Sequence, residues 1–269
     1  MNILIPIIAV SAIGLLCAVL LSVASKIFAV SQNETYIKLR ESLPGANCGA
    51  CGYAGCDGYA SALAEGTEPR TNLCIPGSSN TAASIAKILD VEEKTVVNQL
   101  AVILCCGDSS CTSLLHEYHG IPTCSACNLL FSGDGTCTYG CLGYGDCAAV
   151  CPNNAIVVKD GLARVIPALC TGCGQCAKAC PNGLIQIIPQ SATVTVRCSN
   201  SDKGGATKTA CTRGCIGCKK CEKVCSNDAI HVINHRAQID QGKCTSCGQC
   251  VSVCTAGCIV TLRTPVACS

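Results

Sequence analysis

The spacing of cysteine limits what this chain can fold into more than any other feature. Cys170, Cys173, Cys176 and Cys180 read Cys-x-x-Cys-x-x-Cys-x-x-x-Cys, and so do Cys215, Cys218, Cys221, Cys225 and Cys244, Cys247, Cys250, Cys254. Two-residue gaps on a looping backbone let three thiolates reach three irons of one 4Fe-4S cubane, while the fourth cysteine of the run serves the partner cluster. The intervals repeat in pairs: 170 − 141 = 29 and 244 − 215 = 29, while 215 − 141 = 74 and 254 − 180 = 74. The chain therefore carries a two-cluster module twice.

Thirty of the 269 residues are cysteine, a density usually found in short disulfide-bonded secreted chains. Here the thiols stand too close in sequence to meet disulfide geometry with one another. Paired Cys-x-x-Cys motifs also suit tetrahedral zinc, but a third cysteine two residues on and a fourth three beyond that fit a cubane better. Aromatic residues make up 3% of the chain and tryptophan is absent. With few large apolar side chains, bound metal is expected to supply much of the folding energy.

Residues 3–30 are almost uninterruptedly apolar, with Lys26 their one charge. That is long enough to cross a hydrocarbon core of about 30 Å as a helix. A secretory signal needs basic residues before the apolar run and a cleavage site after a shorter one, and a lipoprotein reading of Cys17 fails on the large Leu16 before it. A retained membrane helix is expected, with Cys17 an apolar packer. Lys26, Lys38 and Arg40 follow the helix, which places the rest of the chain in the cytoplasm and makes the protein a single-pass protein of the cytoplasmic membrane. That compartment is reducing.

Behind the helix, Cys48, Cys51, Cys56 and Cys74 form a separate four-thiolate 4Fe-4S site within residues 31–76, whose segment Asp57–Glu65 reads as a short helix. Residues 77–136 follow, with turn signals at 75–80, a helical pattern over Thr81–Leu89 and a strand over Thr95–Leu104. This region holds Cys106, Cys111, Cys124 and Cys127, a candidate sixth cluster set with Cys105 as a competing ligand and buried apolar thiols as the alternative. The first two-cluster module covers 137–190. Its opening run is irregular, because Tyr144 occupies the second ligand position, and Cys137 is the expected substitute. One cluster is thus assigned to Cys137, Cys141, Cys147 and Cys180, and its partner to Cys151, Cys170, Cys173 and Cys176. In the second module, 191–269, crossover gives Cys215, Cys218, Cys221 with Cys254, and Cys225 with Cys244, Cys247, Cys250. Cys198 and Cys211 are further candidate ligands; Cys258 and Cys268 are expected to be free. Short helices and β segments after each run (Ile156–Val158 turning at Asp160-Gly161 into Leu162–Val165, and Ile230–Ile233 before Gln238–Ile239) complete an α+β class: a transmembrane helix, a small four-cysteine domain, then two tandem bacterial-type ferredoxin modules.

The chain resembles the B subunits of the Rnf ion-translocating membrane complexes. The resemblance rests on the apolar amino-terminal helix, on the run from Asn47 to Cys56 (NCGACGYAGC), on Tyr139 to Cys147 (YGCLGYGDC) and on Gly214 to Cys218 (GCIGC), and it covers nearly the whole chain. It implies a subunit of a ferredoxin-oxidising translocase that takes electrons from reduced ferredoxin and relays them to membrane and flavoprotein subunits, coupled to sodium or proton export. Two positions depart from the family pattern: ferredoxin runs close with Cys-Pro, as at Cys151-Pro152 and Cys180-Pro181, whereas Cys225 precedes Ser226 and Cys254 precedes Thr255. Proline's fixed φ shapes the chain after the last ligand.

No dinucleotide loop is legible, since Gly140, Gly143 and Gly145 lie inside a cysteine motif rather than between strand and helix. No acid–base or nucleophilic set is readable, and His116, His119, His231 and His235 read as surface or packing residues. A net charge of +2 gives no case for nucleic acid, and none is expected as a partner. Between 197 and 223, however, seven basic residues (Arg197, Lys203, Lys208, Arg213, Lys219, Lys220, Lys223) face two acidic ones. That stretch is a candidate dock for an acidic ferredoxin, with a solvated loop as the alternative. The reading is a one-electron wire of five 4Fe-4S clusters, or six, hung from the lipid bilayer. A polyferredoxin of a hydrogenase or formate dehydrogenase would share the clusters, and a thiolate-rich metal store would not need crossover spacing.

Overall fold

A computed structural model describes the backbone of residues 4–27 and 33–262, and the side chains of residues 7, 11–24 and 33–262. Helix α1 spans Leu4–Ile27, and its Leu15, Leu16, Leu20 and Leu21 are exposed. Counting only residues so described, no helix is long and apolar enough to cross a membrane. Residues 3 and 28–30 of the expected span, and Cys268, lie outside the described residues.

The four-cysteine region is helical. Helix α2 (Glu34–Ser42) begins at Asn33, whose side chain accepts the Thr35 amide at 3.0 Å and satisfies one of the donors a helix start leaves open. Helix α3 (Cys56–Ala64) starts on a ligand cysteine, and α4 (Ser78–Leu89) reaches three residues into the segment that reads as a turn. The three bury Leu39, Tyr59, Leu63 and Ile85 against one another, with Cys56 and Cys74 in the same cluster. Tyr59 is fully enclosed because its hydroxyl donates to the Arg70 carbonyl at 2.7 Å, leaving no unpaired polar atom.

Strand β1 (Gln99–Ile103) alternates too little to show which sheet it serves, and its partner is remote in sequence. After α5 (Cys124–Asn128) and α6 (Asp146–Ala149), a hairpin of β2 (Ile156–Lys159) and β3 (Leu162–Val165) turns through Asp160 and Gly161. Both turn residues have positive φ, +54° and +72°, the condition for a tight two-residue hairpin. Helix α7 (Gln175–Ala179) leads to β4 (Ile185–Pro189), which pairs antiparallel with β1 from Gln99↔Pro189 to Ile103↔Ile185. The strand before the irregular cysteine region is therefore built into the first module.

The second module repeats the plan. Strand β5 (Val194–Val196) precedes α8 (Gly204–Ala210) and α9 (Lys220–Lys223); β6 (Ile230–Ile233) and β7 (Arg236–Ile239) form the hairpin; α10 (Gln249–Ser252) leads to β8 (Ile259–Thr261), which pairs with β5.

Both module cores are thin. The first is Ala101, Ile103, Ile156, Ala163 and Ile185 around Cys147 and Cys176; the second is Val194, Val196, Ile230, Ala237 and Ile259 around Cys106, Cys215, Cys221 and Cys258. Each fully buried aliphatic side chain contributes about 1.5–3 kcal/mol, too little to offset an ordering cost of about 1–2 kcal/mol per residue. The four two-stranded sheets among the described residues supply little further cooperativity. Stripping the metal with acid and chelator is expected to abolish most of the folded circular-dichroism signal; an apoprotein that keeps a near-native spectrum would contradict this dependence.

Candidate metal centres

Five groups of four cysteines converge. In the amino-terminal group, burial pushes the Cys74 thiol up to about 11, with the sulfurs of Cys56, Cys48 and Cys51 as its neighbours. The side chain of Asn47 accepts the Cys56 amide at 2.9 Å and so fixes the loop that carries the ligands. In the first module, burial raises Cys176 to about 11 beside Cys170, Cys173 and Cys151. In the second, Cys225, Cys244, Cys247 and Cys250 line one hollow, and Cys215, Cys218, Cys221 and Cys254 line another. The fourth cysteine of each run thus sits with the other run of its module, as crossover spacing requires.

The remaining hollow of the first module is lined by Cys141, Cys147, Cys180 and Cys124, not Cys137. The cause is Asp146. Its carboxylate accepts the Cys124 amide at 2.8 Å, the Ser125 amide at 2.9 Å and the Ser125 hydroxyl at 2.7 Å, drawing the start of α5 onto the loop beside Cys147. Burial alone would raise Asp146, but the Ser125 hydroxyl and the two amides outweigh it and hold the carboxyl below its usual range. Asn182 bridges the same parts, donating to the Gly140 carbonyl at 2.8 Å and accepting from Asn128 at the end of α5.

Tyr144, at the vacant ligand position, donates instead to Asp134 at 2.6 Å, and Cys127 packs beside that pair. Cys106, Cys111, Cys124 and Cys127 are not brought together. Cys105 packs on the first module's core and Cys106 is buried in the second's. Cys258 is not isolated: its sulfur lies 3.6 Å from that of Cys254 in the same hollow, and its hydrogen bonding lowers the Cys215 and Cys254 thiols while raising its own.

The ligand loops share one backbone shape. Two residues after the first cysteine of each run stand Gly143, Gly172, Gly217 and Ser246, all at positive φ. A Cβ on Gly143 would lie 2.7 Å from the Gly161 carbonyl, and one on Gly217 would lie 2.7 Å from that of His235, so the hairpin turns press on these loops. The shape survives at Tyr144 although the ligand does not.

Amide groups also point at sulfur. Ala155 donates to Cys151 at 3.2 Å, Leu184 to Cys180 at 3.4 Å and Ala229 to Cys225 at 3.4 Å, each four residues beyond its acceptor. Strand β1 adds Ala101 to Cys170 and β7 adds Ala237 to Cys215. The Cys225 bond forms with Ser226 in place of proline, so that departure leaves the local turn intact. Such donors favour anionic sulfur and tune a cluster held there. Converging thiols, amides aimed at them and close backbone approach fit 4Fe-4S clusters.

The basic stretch divides in the fold. Arg197 donates to the Ile103 carbonyl at 3.1 Å and Arg213 to the Gly257 carbonyl at 2.8 Å, so both arginines are structural. Lys203, Lys208, Lys219, Lys220 and Lys223 are exposed. His231 lies between Glu222 and Asp228 on the surface of the second module.

Crossed ligand sets on paired ferredoxin modules define an iron–sulfur electron-transfer protein. Three family models agree: "Putative Fe-S cluster" over residues 43–76, "4Fe-4S binding domain" over 163–186 and "4Fe-4S dicluster domain" over 214–258. The chain is 40% identical over 258 residues, 96% of its length and 77% of the relative's, to the B subunit of the Na(+)-translocating ferredoxin:NAD(+) oxidoreductase complex of Acetobacterium woodii. It is 42% identical over 90% of its length, and 92% of the relative's, to the B subunit of the ion-translocating oxidoreductase complex of Methanosarcina acetivorans. The corresponding figures for the B subunit of the proton-translocating ferredoxin:NAD(+) oxidoreductase complex of Clostridium ljungdahlii are 40%, 92% and 88%. The chain belongs to the B-subunit family of the Rnf ion-translocating oxidoreductase complexes.

Cys124→Ser is expected to lower iron by about four atoms per chain, whereas Cys127→Ser leaves it unchanged; the reverse would place the ligand one helical turn further on. Asp146→Ala strands two amides at a cost of about 1–3 kcal/mol and is expected to speed loss of the same cluster in air, read as bleaching of visible absorption.

Proposed function

We propose that this chain is the membrane-anchored electron-relay subunit of an Rnf-type complex, accepting electrons from reduced ferredoxin and delivering them to the complex's membrane and flavoprotein subunits. The observation that carries this reading is the contact between the amino-terminal cysteine group and the first module. The Gln175 side chain on α7 donates to the Cys48 carbonyl at 3.2 Å, so the amino-terminal group abuts the first module rather than hanging on a tether. When bound, 4Fe-4S clusters supply one-electron oxidation and reduction without proton chemistry.

The protein's own work is to hold and shield. Five ligand sets are proposed: Cys48, Cys51, Cys56, Cys74; Cys124, Cys141, Cys147, Cys180; Cys151, Cys170, Cys173, Cys176; Cys215, Cys218, Cys221, Cys254; and Cys225, Cys244, Cys247, Cys250. Most of these thiols are buried or half-buried, but Cys218 and Cys247 are exposed and mark where a redox partner approaches most closely. Residues 3–30 are proposed to cross the cytoplasmic membrane, leaving the rest of the chain in the cytoplasm by the positive-inside rule. Leu114, Leu115, Ile121, Leu129, Leu130 and Phe131 are all exposed, and these apolar side chains are proposed to be covered by a neighbour in the complex.

Lys219 and Lys220 directly follow the exposed Cys218, and this edge is the proposed ferredoxin dock. Lys219→Glu with Lys220→Glu is expected to slow reduction by ferredoxin about tenfold or more at low ionic strength, the difference fading in salt; unchanged rates at low salt would exclude docking there. The reading as a whole is tested by purifying the protein anaerobically from membranes and recording low-temperature EPR after adding reduced ferredoxin. Reduced-cluster signals are expected. Clusters that ferredoxin cannot reduce would point to a different donor, and zinc without labile sulfide to metal storage.

A further inference from the structure

Cys258 belongs to none of the five sets, yet it is 1% exposed and lines the same hollow as Cys215, Cys218, Cys221 and Cys254. Its sulfur stands 3.6 Å from that of Cys254, and its side chain also hydrogen-bonds to Cys215. A cubane offers four irons to four thiolates, and crossover spacing fills all four positions here. The fifth sulfur is therefore surplus to coordination and lies directly against two of the ligand sulfurs. A ligand thiolate carries no proton, so in both contacts Cys258 is the donor.

The backbone fixes this thiol from both sides. The Gly257 amide donates to the Cys254 carbonyl at 3.1 Å, and the Gly257 carbonyl accepts the Arg213 side chain at 2.8 Å. The Cys258 carbonyl accepts the Arg197 amide at 2.7 Å, and the next residue begins β8. The corresponding hollow of the first module is lined by Leu184, which follows Cys180 by four residues as Cys258 follows Cys254. In both modules the amide at that position donates to the sulfur four residues before it. The two hollows therefore share a backbone donor and differ in the side chain that faces the ligands.

We propose that Cys258 tunes the iron–sulfur cluster held by Cys215, Cys218, Cys221 and Cys254, its thiol donating to their sulfurs and raising the reduction potential of that cluster. Reduction adds one electron, whose charge spreads onto the sulfurs, and a donor facing them favours the reduced state. An S–H group is a weak donor, but in an enclosed site of low dielectric its contact is strengthened. Reduced ferredoxin gives up one electron, the cluster gains it, and the Cys258 proton stays on its own sulfur. This rests on the electron-relay reading above, in which the exposed Cys218 of the same set marks the ferredoxin edge. There the thiol favours uptake of the incoming electron.

The test is an EPR-monitored redox titration of the full chain purified anaerobically from membranes, with iron and labile sulfide measured on the same samples. The component to follow is the one that Cys221→Ala removes. Cys258→Ala is expected to keep wild-type iron and to lower the ratio of reduced to oxidised cluster about fivefold at the wild-type midpoint. Cys258→Val, which fills the thiol's volume without a donor, is expected to match it and carries the test where the alanine variant fails to accumulate. Cys258→Ser, which restores a donor, is expected to return the ratio to wild type or above. Potentials equal in wild type and all three variants would reduce Cys258 to a packing residue and overturn the proposal. Loss of about four irons in the alanine and valine variants would make Cys258 a ligand and overturn it equally. A shifted potential in a protein whose clusters ferredoxin cannot reduce would uphold the tuning role and defeat the relay reading instead.

Discussion

Each ferredoxin module is held together by a crossed pair of cysteines. Cys151 leaves the first run to join Cys170, Cys173 and Cys176, while Cys180 returns to Cys141 and Cys147. Because each half lends a cysteine to the other half's group, the halves cannot separate without opening both groups. Two-stranded sheets and cores of a few isoleucines, valines and alanines would not fasten them alone. The same constraint explains the low aromatic content. Volume that another domain fills with phenylalanine or tryptophan is here given to cysteine and to the metal sulfide that it binds.

The surroundings of the sulfurs are set by backbone more than by side chains. Amides four residues beyond Cys151, Cys180 and Cys225 fold back onto the thiols, and the strands β1 and β7 supply further donors. Backbone donors keep their aim when side chains change, which lets Ser226 replace the proline found after Cys151 without loss of the local bond. Cys258 adds a different influence. A fifth thiol beside Cys254 gives one hollow of the second module a donor absent from its counterpart in the first, where Leu184 occupies the equivalent place four residues after Cys180.

Much of the fold was legible because ligand spacing and hairpin signals act locally. The three regular runs, the amino-terminal set and the hairpins at Asp160-Gly161 and around residues 230–239 could be read directly. What escaped was set by contacts distant in sequence. Nothing local says that Asp146 accepts the Cys124 and Ser125 amides and so brings Cys124 to the hollow lined by Cys141, Cys147 and Cys180, whereas Cys137 stands only four residues from Cys141. The basic stretch misled in a milder way, because charge counting cannot separate arginines bound to buried carbonyls from lysines in solvent.

The central claim is that the amino-terminal cysteine set and the two crossed pairs of sets hold five iron–sulfur clusters. It is tested most directly by locating iron in the anaerobically purified protein with anomalous scattering at the iron edge. The expected map has a compact iron peak at each of the five sets, from that of Cys48 to that of Cys247, with Cys124 rather than Cys137 beside the peak at Cys141. An empty set in either module, or peaks that vanish at the iron edge and return at the zinc edge, would contradict it.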